Sequence, residues 1–244
     1  MDKQTSRRKI RRKKHHLKVK RFIVFLLLIC GGIFVGINHE RVIDEWDWLT
    51  LKPTQKLDVP IENQFPEYPN GCEVTSLSML LNYYHVDVTK RTLARNIKHV
   101  SSFEGEKYRG NPNKGFVGYM SIANAGWCVY NGPLYDVAHK YTNQIRNYTG
   151  HSFLEVMKLV SDGHPVMIIT TLKFKPVNDM QTWDTHSGKV KVTPSSHACV
   201  ITGYDKKNQV VYVNNPYGQK NQEVSWKNLE GSFNQQGKQA LYMK

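Results

Sequence analysis

The sequence predicts an α+β domain. Apolar residues at helical spacing come first along the folded part of the 244-residue chain, at 72–84, 90–100, 134–141 and from Ser152 onward. Short β-branched runs crowd the second half, at 165–171, 197–204 and 209–214. Asp205-Lys-Lys-Asn208 joins the last two as a hairpin turn. Helices first and a nearly sequential sheet second are the mark of segregated layers.

The elements follow in chain order. Residues 57–60 read as a first short strand. The helix over 72–84 buries Val74, Leu77, Leu80, Leu81 and Tyr84 as one stripe. Thr89 caps a second helix, 90–100, with Leu93, Ile97 and Val100 inward. Residues 101–126 are rich in Gly, Asn and Ser and read as a long surface excursion. A helix from Leu134 to Tyr141 comes next. Another, starting at Ser152, turns Phe153, Val156, Met157 and Val160 to one face and stops at Gly163. Residues 165–171 form a continuous apolar run, as in a buried strand. Leu241-Tyr-Met is expected to close the sheet at an edge.

Charge divides the chain. Residues 1–21 hold eleven Lys and Arg against Asp2, so +10 of the formal +14 sits there and the body is only mildly basic. Residues 22–37 then carry no charge for 16 positions. A spanning helix needs about 20 apolar residues, roughly 17 at the short end; a signal-peptide core has about 7–15. His39-Glu-Arg-Val is a poor cleavage site, and no small residues precede Cys30. An uncleaved anchor is therefore favoured over a cleaved signal or a buried core helix. The basic run beside it reads as a cytoplasmic flank, not a nucleic-acid arm. The expected organisation is a basic tail (1–21), a transmembrane signal anchor (22–38), a stalk (39–56) and a domain outside the cell (57–244). Trp46 and Trp48 suit the outer headgroup level.

Cys30 lies in the apolar run and reads as a small apolar filler. Cys72, Cys128 and Cys199 are an odd number facing an oxidising exterior, so at least one thiol stays free. Cys128 and Cys199 read better as small buried residues than as a disulfide. No HExxH, CxxC or helical histidine pair suggests a metal. No phosphate-cradling glycine motif points to an ATP-binding domain in this chain. No cofactor is expected.

Cys72 follows a turn-rich stretch, Gln64-Phe-Pro-Glu-Tyr-Pro-Asn-Gly71, and opens a helix. A thiol there meets the positive end of the helix dipole and unpaired N–H groups, which favour the thiolate. Gln64 lies close enough upstream to donate its amide to a developing oxyanion, beside the Cys72 N–H. His197 opens an apolar strand, which holds an imidazole still at a sheet end and suits a general base. His164 and His186 are its rivals. Asn215 lies one hairpin later and can fix the imidazole tautomer. Asn214 would point to the opposite face, and Asp205 lies at the far end of the hairpin.

These patterns, with Gly163-His-Pro-Val166, His197-Ala-Cys-Val-Ile-Thr-Gly-Tyr-Asp205 and Val211-Tyr-Val-Asn-Asn-Pro-Tyr-Gly218, resemble the cysteine peptidase family 39-like group over about residues 57–244. That group belongs to the papain-like superfamily and includes the double-glycine leader peptidases. The resemblance implies a papain-like fold, with the helix carrying the nucleophile packed on an antiparallel sheet. It implies Cys72 as nucleophile, His197 as base, Gln64 in the oxyanion hole and Asn215 orienting the histidine. Many relatives carry Asp at the last position, whereas papain uses Asn. Leader peptidases of the family are fused to a transporter and work on the cytosolic side; this chain departs on both counts. The expected function is a membrane-anchored extracytoplasmic cysteine peptidase of a Gram-positive bacterium, acting on a peptide or protein substrate at peptide or isopeptide bonds. Loops 101–126 and 172–195 would shape its cleft. A non-catalytic surface peptide-binding module and an acyl transferase are the alternatives on the same fold.

Overall fold

The computed structural model describes residue 20 and residues 39–244, and the chain separates into two units, 1–50 and 51–244. The apolar run 22–37 and Cys30 lie outside the described residues. Among the described residues no helix is long and apolar enough to cross a membrane. In the first unit, α1 spans His39–Thr50, and the Thr50 hydroxyl donates to the Trp46 carbonyl at 3.0 Å. Part of the segment read as a stalk is thus helical.

The second unit is built on one seven-stranded sheet. Its elements in chain order are β1 (Thr54–Lys56), α2 (Cys72–Tyr83), α3 (Lys90–Asn96), β2 (His99–Val100), β3 (Phe103–Glu104), β4 (Tyr108–Arg109) and β5 (Phe116–Val117). Then come α4 (Asn131–His139), β6 (Ile145–Asn147), α5 (Phe153–Ser161), β7 (Val166–Thr171), β8 (Gln181–Thr185) and β9 (Gly188–Val192). Last are β10 (Ser196–Asp205), β11 (Val210–Asn215), β12 (Gln219–Ser225), α6 (Trp226–Gln235) and β13 (Ala240–Met243). The large sheet runs β12-β11-β10-β7-β13-β6, antiparallel throughout, and β1 pairs with the second half of β10.

The α+β expectation holds, and the helix opening at Cys72 packs on β10, β7 and β13. Residues 72–81 of α2 are buried on every side, as in a central helix. Met167 and Ile169 of β7 and Ala198 and Val200 of β10 join Leu77 and Leu80 in that core. Helices α5 and α6 also pack on the sheet and meet each other through Phe153, Trp226 and Phe233. With helices against both faces, β7 is buried at all six positions, which is why it reads as an unbroken apolar run and not an alternation.

Several expectations need correction. The sheet is not sequential: β13 inserts between β7 and β6 and is interior, because its four residues are all buried and both flanks need partners. The first strand is 54–56, not 57–60; Pro60 has no N–H to give a ladder, and the Val59 carbonyl instead accepts the Asn214 side chain at 3.0 Å. The strand lies so close to β10 that a Cβ on Gly203 would sit 2.1 Å from the Gln55 oxygen. Thr89 does cap α3, accepting from the Thr92 N–H, but the helix ends at Asn96 because Ile97 turns extended and His99–Val100 pair parallel with Phe116–Val117. Residues 101–126 are not all surface, since Phe116 and Val117 are fully buried. The helix placed at 134–141 begins earlier, at Asn131. Ser152 caps α5 in a capping box with Glu155. The β8–β9 hairpin, β12 and α6 were unforeseen.

Candidate active site

The nucleophile candidate is set by a tight turn. A Cβ on Gly71 would lie 2.5 Å from the Tyr68 Cβ, so only glycine lets the chain pass there into α2. Upstream, the Gln64 N–H donates to the Pro216 carbonyl at 2.7 Å and Asn63 bridges to Tyr217. The segment before Cys72 is thus stitched to the residues just after Asn215. This carries Gln64, Cys72 and the end of β11 to one place although 151 positions separate Gln64 from Asn215.

Gln64, Cys72 and His197 line one cavity of about 300 Å³, with Trp127, Leu172 and Tyr217 among its walls. Loops 101–126 and 172–195 both reach it, through Gly126 and through Leu172 and Pro194. Its lining carries no acidic or basic side chain apart from His197 and the Cys72 thiol and Tyr217 phenol.

His197 lies 3.0 Å from Asn215 Oδ1 through Nε2. The network fixes the protons. Asn215 Nδ2 donates to Gln222 Oε1 at 2.8 Å, and Oδ1 also accepts the Tyr217 N–H at 3.1 Å, so Oδ1 is an acceptor and Nε2 carries the hydrogen. Nδ1 is left with its lone pair, buried and unpartnered. The ring sits between Phe174 and Tyr217, centroids 5.8 and 5.0 Å away. Burial pushes its pKa down to about 4, against the opposing effect of the hydrogen bond it donates to Asn215. The imidazole is therefore neutral at pH 7 and free to accept a proton.

Cys72 is also buried. Its thiol donates to Glu73 Oε2 at 3.2 Å. Burial, then the Glu73 carboxylate, hold the thiol well above its usual range, while the Ala198 N–H acts in the opposite sense. The helix start therefore does not yield a resting thiolate, because desolvation and a neighbouring carboxylate outweigh the dipole. Gln64 is buried, and its Nε2 donates to the Pro69 carbonyl at 2.8 Å while Oε1 has no partner.

The rivals are elsewhere. His164 Nδ1 bonds the Tyr84 hydroxyl, and exposed His186 lies tilted against the Tyr108 ring. Asn214 turns to Val59, and Asp205 holds the Asn208 turn. Cys128 and Cys199 are buried and free. Among the described residues no cluster of acidic, histidine and cysteine side chains suits a metal ion. Glu73 is the site residue that sequence reasoning missed. An acidic residue in a first helical turn looks like an ordinary dipole partner, and nothing in the spacing shows that it is buried.

Known proteins resemble this chain in sequence and in structure. The uncharacterized protein YvpB of Bacillus subtilis (strain 168) is 36 % identical over 249 residues, covering 92 % of this chain and 98 % of its own. A crystal structure named for a C39-like peptidase from Bacillus anthracis superposes with a TM-score of 0.75 at 38 % identity, covering 79 % of this chain and 98 % of its own. A double glycine motif protease from an AMS/PCAT transporter, solved with its leader peptide, matches at a TM-score of 0.40 and 16 % identity, over 78 % of this chain and 92 % of its own. Residues 56–241, which contain every side chain of the cavity, carry the pattern of the Peptidase_C39 like family, and to that family the chain belongs.

Proposed function

We propose that this protein is a cysteine peptidase that hydrolyses peptide or isopeptide bonds through Cys72, His197 and Asn215, with Gln64 at the oxyanion site. The observation that carries the reading is the imidazole: Asn215 holds Nε2–H and leaves Nδ1 without a partner, on a ring that lines the same cavity as Cys72. When the sulfur turns to Nδ1, its proton passes to the imidazole and a thiolate forms beside the substrate carbonyl. The tetrahedral oxyanion takes hydrogen bonds from the Cys72 N–H and the second Nε2 hydrogen of Gln64. The imidazolium then protonates the leaving amine, and water releases the acyl group. An amine acceptor in place of water would make the same intermediate a transferase, and product analysis with and without added amines separates the two.

The cavity wall of Trp127, Leu172 and Tyr217 suits uncharged residues beside the scissile bond. The substrate is a peptide or protein outside the cell. The arginine- and lysine-rich start and the apolar run 22–37 support a single-pass anchor with the N-terminus inside. Trp46, 67 % exposed on α1, suits the interface just beyond it. Protease treatment of intact cells tests the topology: loss of the domain is expected, and full protection would refute an external location. Hydrolysis of a peptide library tests the activity: cleavage that vanishes in Cys72→Ser is expected, and cleavage that persists in Cys72→Ser would refute the assignment.

A further inference from the structure

Glu73 stands next to the nucleophile and is 1 % exposed. Its Oε1 accepts the Val129 N–H at 3.0 Å, and its Oε2 accepts the Cys72 thiol at 3.2 Å. The thiol hydrogen is therefore committed to a carboxylate, while His197 Nδ1, the acceptor that catalysis needs, has no partner. Two acceptors compete for one proton, and the resting structure gives it to the one that does not lead to reaction. Val129 lies two residues from Trp127 on the cavity wall, so one carboxyl group ties the thiol to that wall.

We propose that Glu73 is a positioning residue that parks the Cys72 thiol, holding it in an S–H···O bond until substrate enters the cavity and the sulfur turns to His197 Nδ1. The inference rests on the cysteine peptidase reading of the site. No covalent bond changes in the parked state, and the proton stays on sulfur. On turning, the proton passes to Nδ1, which leaves a thiolate and an imidazolium. An ionised Glu73 opposes this step electrostatically as well as by its hydrogen bond.

The titratable groups that face Glu73 are Cys72 on its own helix and Cys128 and Tyr130 on the segment entering α4. None of them is cationic. Burial raises the Glu73 carboxyl to about 7, with the Val129 N–H opposing. The park is therefore strongest above neutral pH, where the carboxylate is fully charged.

A purely structural Glu73 would tolerate glutamine, whose carbonyl can keep the Val129 bond. Glu73→Gln, however, places an N–H₂ donor where the thiol had an acceptor. The sulfur loses its resting partner and gains a donor that favours the thiolate. The test is iodoacetamide alkylation of the full chain from pH 5 to 9, with the Cys72 peptide followed by mass spectrometry and Cys72→Ser as the blank. Alkylation follows the thiolate fraction. Glu73→Gln is expected to react roughly tenfold faster at pH 7 and to lose an inflection that the wild type shows near neutrality. A wild-type rate and profile in Glu73→Gln would overturn the proposal. If Glu73→Gln does not fold, the wild-type profile decides: two inflections support the park, and one simple thiol titration overturns it. Peptide hydrolysis is measured alongside. Absent hydrolysis with faster alkylation in Glu73→Gln would sink the peptidase reading and leave the park standing; hydrolysis with unchanged alkylation would do the reverse.

Discussion

The two walls of the cavity are made in different ways. On one side, His197 and Asn215 sit on β10 and β11, long strands paired on both flanks, and Cys72 starts a helix buried all round. On the other, Gly126 and Trp127 lie on a loop after β5 that bonds back to Val117 and meets the β8–β9 hairpin through Trp183. Aromatic contacts add there to the backbone hydrogen bonds with Val117. The Arg109 guanidinium lies 4.3 Å from the Phe103 ring, 5.0 Å from Trp127 and 4.2 Å from Trp183, and the two indoles meet edge-on at 4.7 Å. The candidate catalytic groups thus stand on long, paired secondary structure, whereas the Trp127 side of the cavity adds side-chain stacking to a loop's backbone bonds. Chemistry and selectivity are separable in such a design.

Substitutions can break that contrast. The largest effect is expected at the first wall: Cys72→Ser or His197→Gln should remove peptide hydrolysis, by 10³-fold or roughly more, with the fold retained by circular dichroism. Asn215→Ala should lower kcat by about 10²-fold with KM little changed, since the imidazole loses its tautomer and orientation. Steady-state kinetics on both variants checks this. Gly71→Ala forces Tyr68 and the Cys72 turn apart and should destabilise the domain by about 2 kcal/mol, read from denaturant midpoints.

Milder effects are expected at the second wall. Arg109→Ala frees Trp127 and Trp183, so KM should rise several-fold while kcat holds, with roughly 1–2 kcal/mol of stability lost. A fall in kcat with KM unchanged would mean that the two walls are not separable. The smallest effect is on pH dependence. His197 has a folded pKa near 4, below its ordinary 6.5, so its contribution to stability is lost as pH falls from about 6.5 to 4. Glu73, raised from 4.5 to about 7, contributes stability below pH 4.5 that is lost as pH rises through 7. The two trends oppose each other. Removing the second by Glu73→Gln should leave melting temperature rising between pH 4.5 and 7, more steeply than in the wild type.

Legibility in the sequence follows the same division. Apolar pattern marked α2, α5, β7, β10 and β11 within a few residues, because α5 buries one regular stripe and α2, β7 and β10 are buried nearly throughout. The pairing of His197 with Asn215 followed from a single hairpin, whose register two adjacent strands must share. Residues 98–130 were opaque, because Gly110, Gly115 and Gly126 are set by close backbone approach and Arg109 by stacking, neither of which has a period. Helix α6 was missed although Trp226, Leu229 and Phe233 are spaced for one buried stripe, since Gly231 and polar neighbours diluted it. The state of Cys72 was misread for a related reason: the helix start is local and visible, whereas its burial depends on loops far along the chain.

The account stands or falls on whether Cys72 becomes acylated with the help of His197. Incubating the protein with a 4-nitrophenyl ester of an N-acylated glycine, then mapping the adduct by mass spectrometry, tests this directly. A hydroxylamine-sensitive acyl group on Cys72, lost in Cys72→Ser and greatly slowed in His197→Gln, is the predicted result. Folded wild-type protein that acquires no acyl group on Cys72, or acquires it equally fast without His197, would contradict the account.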